Sequence, residues 1–200
     1  MRLAPPLERH RHCGGLPALR KVPYLLLGTL TKPPQDALAV MIYFDMDGVI
    51  ADFEKGIQEK YGKPFSKMHP GKFWNQQVGT DKVFLNLPSL PKGLELLRAV
   101  IATKAPVSIL TSTGGGKYHY TIAREKLTWL ERHEIKIPVC FCLNTVSKAS
   151  FSLPDTILLD DRDSVVTKFN EGRGTAYRFP DEIEQFRTAV FGDNRDQGAT

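Results

Sequence analysis

Two aspartates one residue apart, Asp45 and Asp47, stand in the stretch Met41-Ile42-Tyr43-Phe44-Asp45-Met46-Asp47-Gly48-Val49-Ile50-Ala51-Asp52-Phe53. Carboxylates this close repel each other unless a cation or a proton sits between them. A metal site, or a paired nucleophile and acid, is the chemistry such a pair can do. Three more polar groups follow later apolar runs: Thr111 with Ser112, then Lys148, then the adjacent Asp160-Asp161. Each alone has a plain structural explanation. Asp-x-Asp-Gly can be a turn, Thr111 can bond its own backbone, Lys148 can be a solvated surface lysine, and Asp160-Asp161 can cap a helix. Their order and placement single them out together.

The elements that must position these groups alternate between strand and helix. Ile42–Phe44 reads as a short buried strand that leaves Asp45 and Asp47 at its carboxyl end, with Gly48 allowing a sharp turn behind them. A helix is predicted over Phe53–Tyr61, stopping at Gly62. Residues 62–90, rich in aromatics, Gly and Pro, read as irregular, and an inserted cap is placed at about 54–90. Pro91 opens a helix to about Thr103, with Leu94, Leu97 and Ile101 on one face. Val107–Leu110 is a strand running into the small-residue loop Thr111–Gly116, and Tyr118–His133 a long helix with Ile122, Leu127 and Leu130 inward. Pro138–Leu143 is a strand, and a loop then carries Lys148. Thr156–Leu159 is a strand ending in Asp160-Asp161, with Asp163 or Ser164 capping the helix behind it. Thr175–Phe179 and Asp181–Val190 complete the pattern. Such alternation predicts an α/β fold: a Rossmann-like parallel sheet with helices on both faces. All the singled-out groups then fall on the carboxyl edge, where open sheets of this kind bind ligands.

The bulk properties exclude other classes. A hydrophobic content of 42% in 200 residues supplies the core of one domain. The net charge of +5 suggests a nucleic-acid partner at first sight. Residues 1–40, however, hold Arg2, Arg9, Arg11, Arg20, Lys21 and Lys32 against only Glu8 and Asp36. The remainder is near neutral, so no extended nucleic-acid groove is implied. Cys13, Cys140 and Cys142 make no disulfide framework. Cys140 and Cys142 share one face of a predicted strand and read as small buried hydrophobes in a reducing compartment. Residues 1–40 carry six of the fourteen prolines and no sustained periodicity. They read as an extension, disordered or lying upstream of a true start at Met41. The apolar stretch Tyr24–Leu30 is too short to span a bilayer, so no membrane partner is expected. A mitochondrial transit peptide fits the arginines but not the prolines or the lack of serine. The expected organisation is an extension over 1–40, a domain over 41–191 and a frayed tail over 192–200, in a cytoplasmic protein.

The four groups of polar residues, spread over residues 41–161, resemble the motifs of the haloacid dehalogenase-like (HAD-like) superfamily of phosphohydrolases. Asp-Met-Asp-Gly-Val-Ile-Ala-Asp-Phe-Glu (45–54), Phe73-Trp74 and Asp160-Asp161 are closer still to the 5′(3′)-deoxyribonucleotidase family. The resemblance covers most of residues 41–180. It implies an HAD-like core and Mg²⁺-dependent hydrolysis of a phosphomonoester, with Asp45 as nucleophile forming an aspartyl-phosphate. Asp47 would protonate the leaving hydroxyl and then deprotonate the hydrolytic water, while its backbone carbonyl ligates the metal. Thr111 and Ser112 would hydrogen-bond the phosphoryl oxygens, and Lys148 would set positive charge against them. Asp161 would complete the Mg²⁺ shell with Asp160 beside it.

For substrate, the resemblance implies a nucleoside monophosphate held by Phe53, Phe73 and Trp74, since stacking suits a planar base. For Phe73 and Trp74 a small cap core explains the aromatics equally well. The chain departs from the family in having Val78 where a further aromatic is usual. It also has a longer spacing from Lys148 to Asp160, around Ser152-Leu153-Pro154, and the run Gly114–Gly116. Sugar phosphates and nucleic-acid phosphate ends stay open as substrates, as does a homodimer, because the family often forms one. A catalytically silent module of the same fold would be expected to lose one of Asp45, Asp47, Lys148 or Asp161, and all four stand.

Overall fold

The structure is a computed structural model that describes residues 40–192; the expectations for residues 1–39 and for the tail from 193 lie outside that range. Five strands form one parallel sheet in the order β3-β2-β1-β4-β5. They are β1 (Met41–Phe44), β2 (Val107–Ser112), β3 (Val139–Cys142), β4 (Thr156–Asp160) and β5 (Thr175–Arg178). Parallel neighbours need crossovers, and helices supply them. The main ones are Phe53–Tyr61, Pro91–Ala102, His119–Arg132, Asp163–Asn170 and Ile183–Phe191. This is the α/β architecture that the alternating pattern predicts.

Strand alternation divides the core in two. Ile42 and Phe44 of β1 point into the larger cluster with Leu94, Leu97, Trp129 and Phe186. Tyr43 points the other way, toward Val165, Phe169 and Leu158, its ring edge-on to Phe151 at 5.7 Å. A central strand buried on both faces has no room for a polar side chain until it ends. The first polar residue after the apolar run, Asp45, therefore sits where the sheet stops.

Register brings the site together. Phe44 pairs with Leu159 on one side and with Ile109 on the other, and the Asp45 N–H donates to the Leu159 carbonyl at 2.9 Å. Asp45 therefore lies beside Asp160, and β2 runs on past it to Thr111 and Ser112. The turn behind Asp45 is closed by hydrogen bonds from the Ile50 and Ala51 N–H groups to the Met46 carbonyl, and from the Gly48 N–H to the Ala51 carbonyl. The exit of the cap segment pins it, with Leu90 N–H donating to the Ile50 carbonyl and Asp52 N–H to that of Pro88.

The segment expected to be irregular is largely helical, in short turns at Phe65–Lys67, over residues 70–80 and at Phe84–Asn86. Its core is a set of rings: Phe73 lies edge-on to Phe53, Tyr61, Phe65 and Trp74. The helix His119–Arg132 clasps the end of this segment. The Glu125 carboxylate accepts from Phe84 N–H at 3.1 Å, Trp129 Nε1 donates to the Leu87 carbonyl at 2.8 Å, and Arg132 reaches the Leu85 carbonyl at 3.2 Å.

Two sequence expectations give way here. Leu127 does not face inward but is 47% exposed; the buried face of its helix is Ile122, Glu125, Lys126, Trp129 and Leu130. Two charged side chains complete the inward stripe because each has a polar partner waiting for it. The helix Asp163–Asn170 is preceded by Arg162 at its cap position, with no side-chain capping bond, rather than by a capping Asp163 or Ser164.

Gly93 marks where the Pro91–Ala102 helix presses on the Asp45 loop. A Cβ there would lie 1.7 Å from the Val49 carbonyl oxygen, which is backbone and cannot rotate away. Gly93→Ala is expected to destabilise the fold by about 3 kcal/mol, toward or beyond the upper end of overpacking costs. At Gly62, with φ +70° and no atom within 4 Å of a Cβ, alanine should cost only about 1–2 kcal/mol of backbone strain. Urea unfolding midpoints of the two variants check this order.

Candidate active site

Lys148 stands at the centre of the carboxyl edge. It lies in the short helical turn Val146–Phe151 with 1% of its surface exposed. Its Nζ is 2.7 Å from Asp45 Oδ2 and 2.7 Å from Asp160 Oδ2. A buried ammonium is costly unless paired, and here two carboxylates share it. Burial alone would pull the Lys148 ammonium down; the Asp45 and Asp160 charges overcome this and hold its pKa well above the ordinary value. It is therefore a fixed cation across the physiological range.

Asp45 is anchored at both oxygens. Oδ1 accepts from the Met46 N–H at 2.7 Å, and Oδ2 takes the lysine. Asp160 is fully buried, with Oδ2 on Lys148 and Oδ1 accepting from the Arg162 N–H at 3.0 Å. Asp161, the next residue, turns toward the Asp45 loop, and its Oδ1 is buried with no partner. Gly48 makes that approach feasible: a Cβ there would lie 2.3 Å from Asp161 Oδ2, and φ of +80° disfavours a side chain as well. Asp45, Asp160 and Asp161 each bring a carboxylate oxygen to within 4.8 Å of the others. Burial, then the Asp45 charge, raises Asp160 to about 6 against the pull of Lys148. Burial, then Asp45 and Asp160, raises Asp161 to about 7.

The donor set fits a hard divalent cation such as Mg²⁺, which takes oxygen ligands. Three carboxylates face a single lysine, and one buried oxygen of Asp161 has no partner among the described residues. Both oxygens of Asp45 and of Asp160 already accept hydrogen bonds or a lysine, so Asp161 is the freest of the three to ligate.

Asp47 belongs to a second cluster. Its Oδ2 accepts from Lys126 Nζ at 2.6 Å, while Oδ1 is buried without a partner. Burial raises its carboxyl above the ordinary value; Lys126 opposes that rise and Asp45 adds to it. Lys126 is completely buried and also donates to Thr111 Oγ1 at 2.7 Å and to the Ser112 carbonyl at 2.9 Å.

A cavity of about 560 Å³ opens over both clusters, within the usual range for a small-ligand site. Asp45, Asp47, Ser112 and Asp161 line its floor, and Phe53, Phe65, Trp74 and Phe179 its apolar wall. Asp52, Glu54 and Arg162 border it as well. Three residues expected at the ligand do not line this cavity: Thr111, Phe73 and Lys148, whose Nζ is closed between Asp45 and Asp160. Thr111 is fully buried and bonded to Lys126 rather than facing the cavity, because successive strand residues point to opposite sides. Phe73 is fully buried at the centre of the cap rings and cannot stack on a ligand. Val78 is likewise in the core, so the missing aromatic leaves no gap in the cavity wall. Gly114 meets Trp74: a Cβ there would be 3.1 Å from its ring. The glycine run thus gives the cap a seat against the sheet edge.

Lys126, Phe65, Arg162 and Phe179 were not singled out in the sequence. Only Lys126 left a signal there: a Glu-Lys pair in the middle of the apolar face Ile122–Trp129–Leu130.

Raised acid pKa values fix a sign for stability. Asp160 and Asp161 hold protons more tightly in the folded state than at the ordinary value of 3.8. Their contribution is complete below that value and is lost as pH rises through about 6 and 7. Without divalent cation, the melting temperature should therefore rise by a few degrees as pH falls from about 8 to about 5. Millimolar Mg²⁺ should raise it at the higher pH and erase most of the difference. Scanning calorimetry with Mg²⁺ or with EDTA checks both parts.

No protein-family model matches the chain. Among solved structures, it is similar to a hydrolase from Streptococcus pneumoniae TIGR4, with 11% identity, 76% of this chain and 98% of that one covered, and a TM-score of 0.47. It is similar to a dehalogenase at 11% identity, with 70% and 84% covered and a TM-score of 0.47. A HAD hydrolase, family IA, variant 3, from Entamoeba histolytica HM-1:IMSS gives 14% identity, 77% and 90% covered, and a TM-score of 0.40. These are distant likenesses.

Proposed function

We propose that the chain is a Mg²⁺-dependent phosphomonoester hydrolase of the HAD-like type, working through an aspartyl-phosphate on Asp45. The observation that carries this reading is the buried Lys148 bridging Asp45 and Asp160, with Asp161 beside them and the cavity opening onto Asp45. A phosphate monoester is an anion that resists attack by another anion. Asp45 can approach it only where positive charge is fixed, and Lys148 supplies that charge against the Asp45 carboxylate itself. Mg²⁺ held by Asp45, Asp161 and the Asp47 backbone carbonyl, with Asp160 alongside, would neutralise phosphoryl charge.

In the first half-reaction a carboxylate oxygen of Asp45 bonds to phosphorus as the ester P–O bond breaks. Asp47 gives its proton to the departing alkoxide. In the second, Asp47 takes a proton from water as the water oxygen bonds to phosphorus, and Asp45 leaves as a carboxylate with free phosphate as product. The raised pKa of Asp47 suits a group that must hold a proton before it gives it. Ser112 on the cavity floor is placed to donate to a phosphoryl oxygen. Thr111 has the lesser part, its Oγ1 being committed to Lys126.

Asp45→Asn keeps the shape and weakens nucleophile and ligand together. Phosphate release from an aryl phosphate in Mg²⁺ should fall to a small residue of the wild-type rate, in a chain that circular dichroism shows still folded but whose melting temperature is lowered by the loss of one Lys148 counter-charge. Wild-type-like turnover in this variant would reject the assignment.

For substrate we infer a nucleoside monophosphate, a pyrimidine deoxyribonucleotide for preference. Phe53, Phe65 and Trp74 form an apolar wall above the Asp45 floor, and the volume suits a base with its sugar. The carboxylates of Asp52 and Glu54 beside the cavity weigh against a polynucleotide, whose backbone would want cations there. Base stacking on one ring is worth about 1–3 kcal/mol. Trp74→Ala should therefore lower kcat/KM for a nucleotide by roughly five- to a hundredfold while sparing a small base-free ester. Equal losses on both substrates would mean that Trp74 serves only the cap.

A further inference from the structure

We propose that Lys126 is the positioning residue for the Asp47 acid/base: it holds the carboxyl by Oδ2 and meets the charge left there once the proton is delivered. This rests on the phosphatase reading above. A lysine ammonium has three N–H donors and no acceptor. In Lys126 all three are committed, to Asp47 Oδ2 at 2.6 Å, Thr111 Oγ1 at 2.7 Å and the Ser112 carbonyl at 2.9 Å. The Phe84 ring covers the ammonium, its centroid 4.8 Å from Nζ. No donor is left for a substrate oxygen, and the side chain is entirely buried. Lys126 does not line the cavity, whereas Asp47 does. Its action on the reaction therefore passes through Asp47.

The geometry distinguishes the two oxygens of Asp47. Oδ2 lies against a cation and is the oxygen that keeps negative charge. Oδ1 has no partner among the described residues though it is buried, and it belongs to a carboxyl that borders the cavity. A proton on Oδ1 is consistent with both facts. When the proton passes to the ester oxygen, the charge left on Asp47 is already met by Lys126. Thr111 and the Ser112 carbonyl, both on β2, fix the ammonium from behind. The carboxyl plane of Asp47 is thereby tied to the same strand end that brings Ser112 to the floor.

The test uses leaving groups. Departure of p-nitrophenolate scarcely needs an acid, whereas departure of the alkoxide of an alkyl phosphate does. Because kcat/KM reports events up to loss of the leaving group, it isolates the step in which Asp47 donates its proton. General acid catalysis contributes about 10²–10⁴-fold. Lys126→Met, similar in length and without donors, should lower kcat/KM for the alkyl ester by about ten- to a hundredfold while lowering that for p-nitrophenyl phosphate by less than about threefold. KM for the alkyl ester should stay within about twofold, since Lys126 does not touch substrate. Asp47→Asn should show the same selectivity more strongly, and the double variant should lose nothing beyond Asp47→Asn alone.

If Lys126→Met fails to fold, Lys126→Gln, which keeps a donor for Asp47, carries the same comparison with a smaller selectivity in the same direction. Equal losses on both esters in whichever variant folds, or a loss seen only in KM, would overturn the proposal and make Lys126 a structural lysine. A wild-type protein that hydrolyses neither ester would overturn the phosphatase reading, and this proposal with it.

Discussion

A positive charge buried at a sheet edge sets the terms for everything around it. Lys148 can stay charged without water only because two carboxylates meet it at hydrogen-bonding distance, and those two come from different strands. Removing either partner would strand a charge in the interior, where the cost is several times that of a surface ion pair. The third acid, Asp161, has no such partner among the described residues. The site is thus short of positive charge by design of its ligands, and an oxygen-seeking cation is the natural complement. Stability and chemistry draw on the same electrostatic imbalance.

Around this centre the molecule divides its labour. The parallel sheet provides fixed places: Asp45 ends one strand, Asp160 ends its neighbour, and Ser112 ends the strand on the other side. The cap provides a wall of rings, and its place over the sheet is kept by three hydrogen bonds from a single helix and by the seat of Trp74 on Gly114. The same helix carries Lys126, whose ammonium faces both Asp47 and the ring of Phe84. The part of the protein that would read the substrate and the part that would handle the proton therefore share one support.

The fold was legible because its signals are local. Short apolar runs ending in polar pairs, separated by amphipathic stretches, leave little choice but a parallel sheet, and the site residues fall where those runs stop. Three things were less visible, each for a physical reason. Which of two adjacent polar residues faces the cavity depends on the twist and pairing of the strand end, so Thr111 and Ser112 look equivalent in the sequence although only one reaches the floor. Whether an aromatic lines a cavity or fills a core depends on the path of the cap, which hid the difference between Phe73 and Trp74. Lys126 gives little sign of its place because a charged residue on a helix is ordinarily solvated; its burial follows from partners far away in the chain, and periodicity carries no record of them. The segment 62–90 looked irregular because its helical turns are too short to show a repeat.

The register of β1 against β4 has a further consequence for how the protein comes to life. Asp45 is made early in synthesis and Asp160 late, and nothing but the closing of that strand pair sets them side by side. Until the last third of the chain has docked, Lys148 has only half of its counter-charge and Asp161 has no loop to lean on. A nascent or partly folded chain would carry Asp45 yet lack the ion pair and the neighbours that surround it in the finished sheet. The charge cluster at the sheet edge is in this sense assembled only on completion of the sheet.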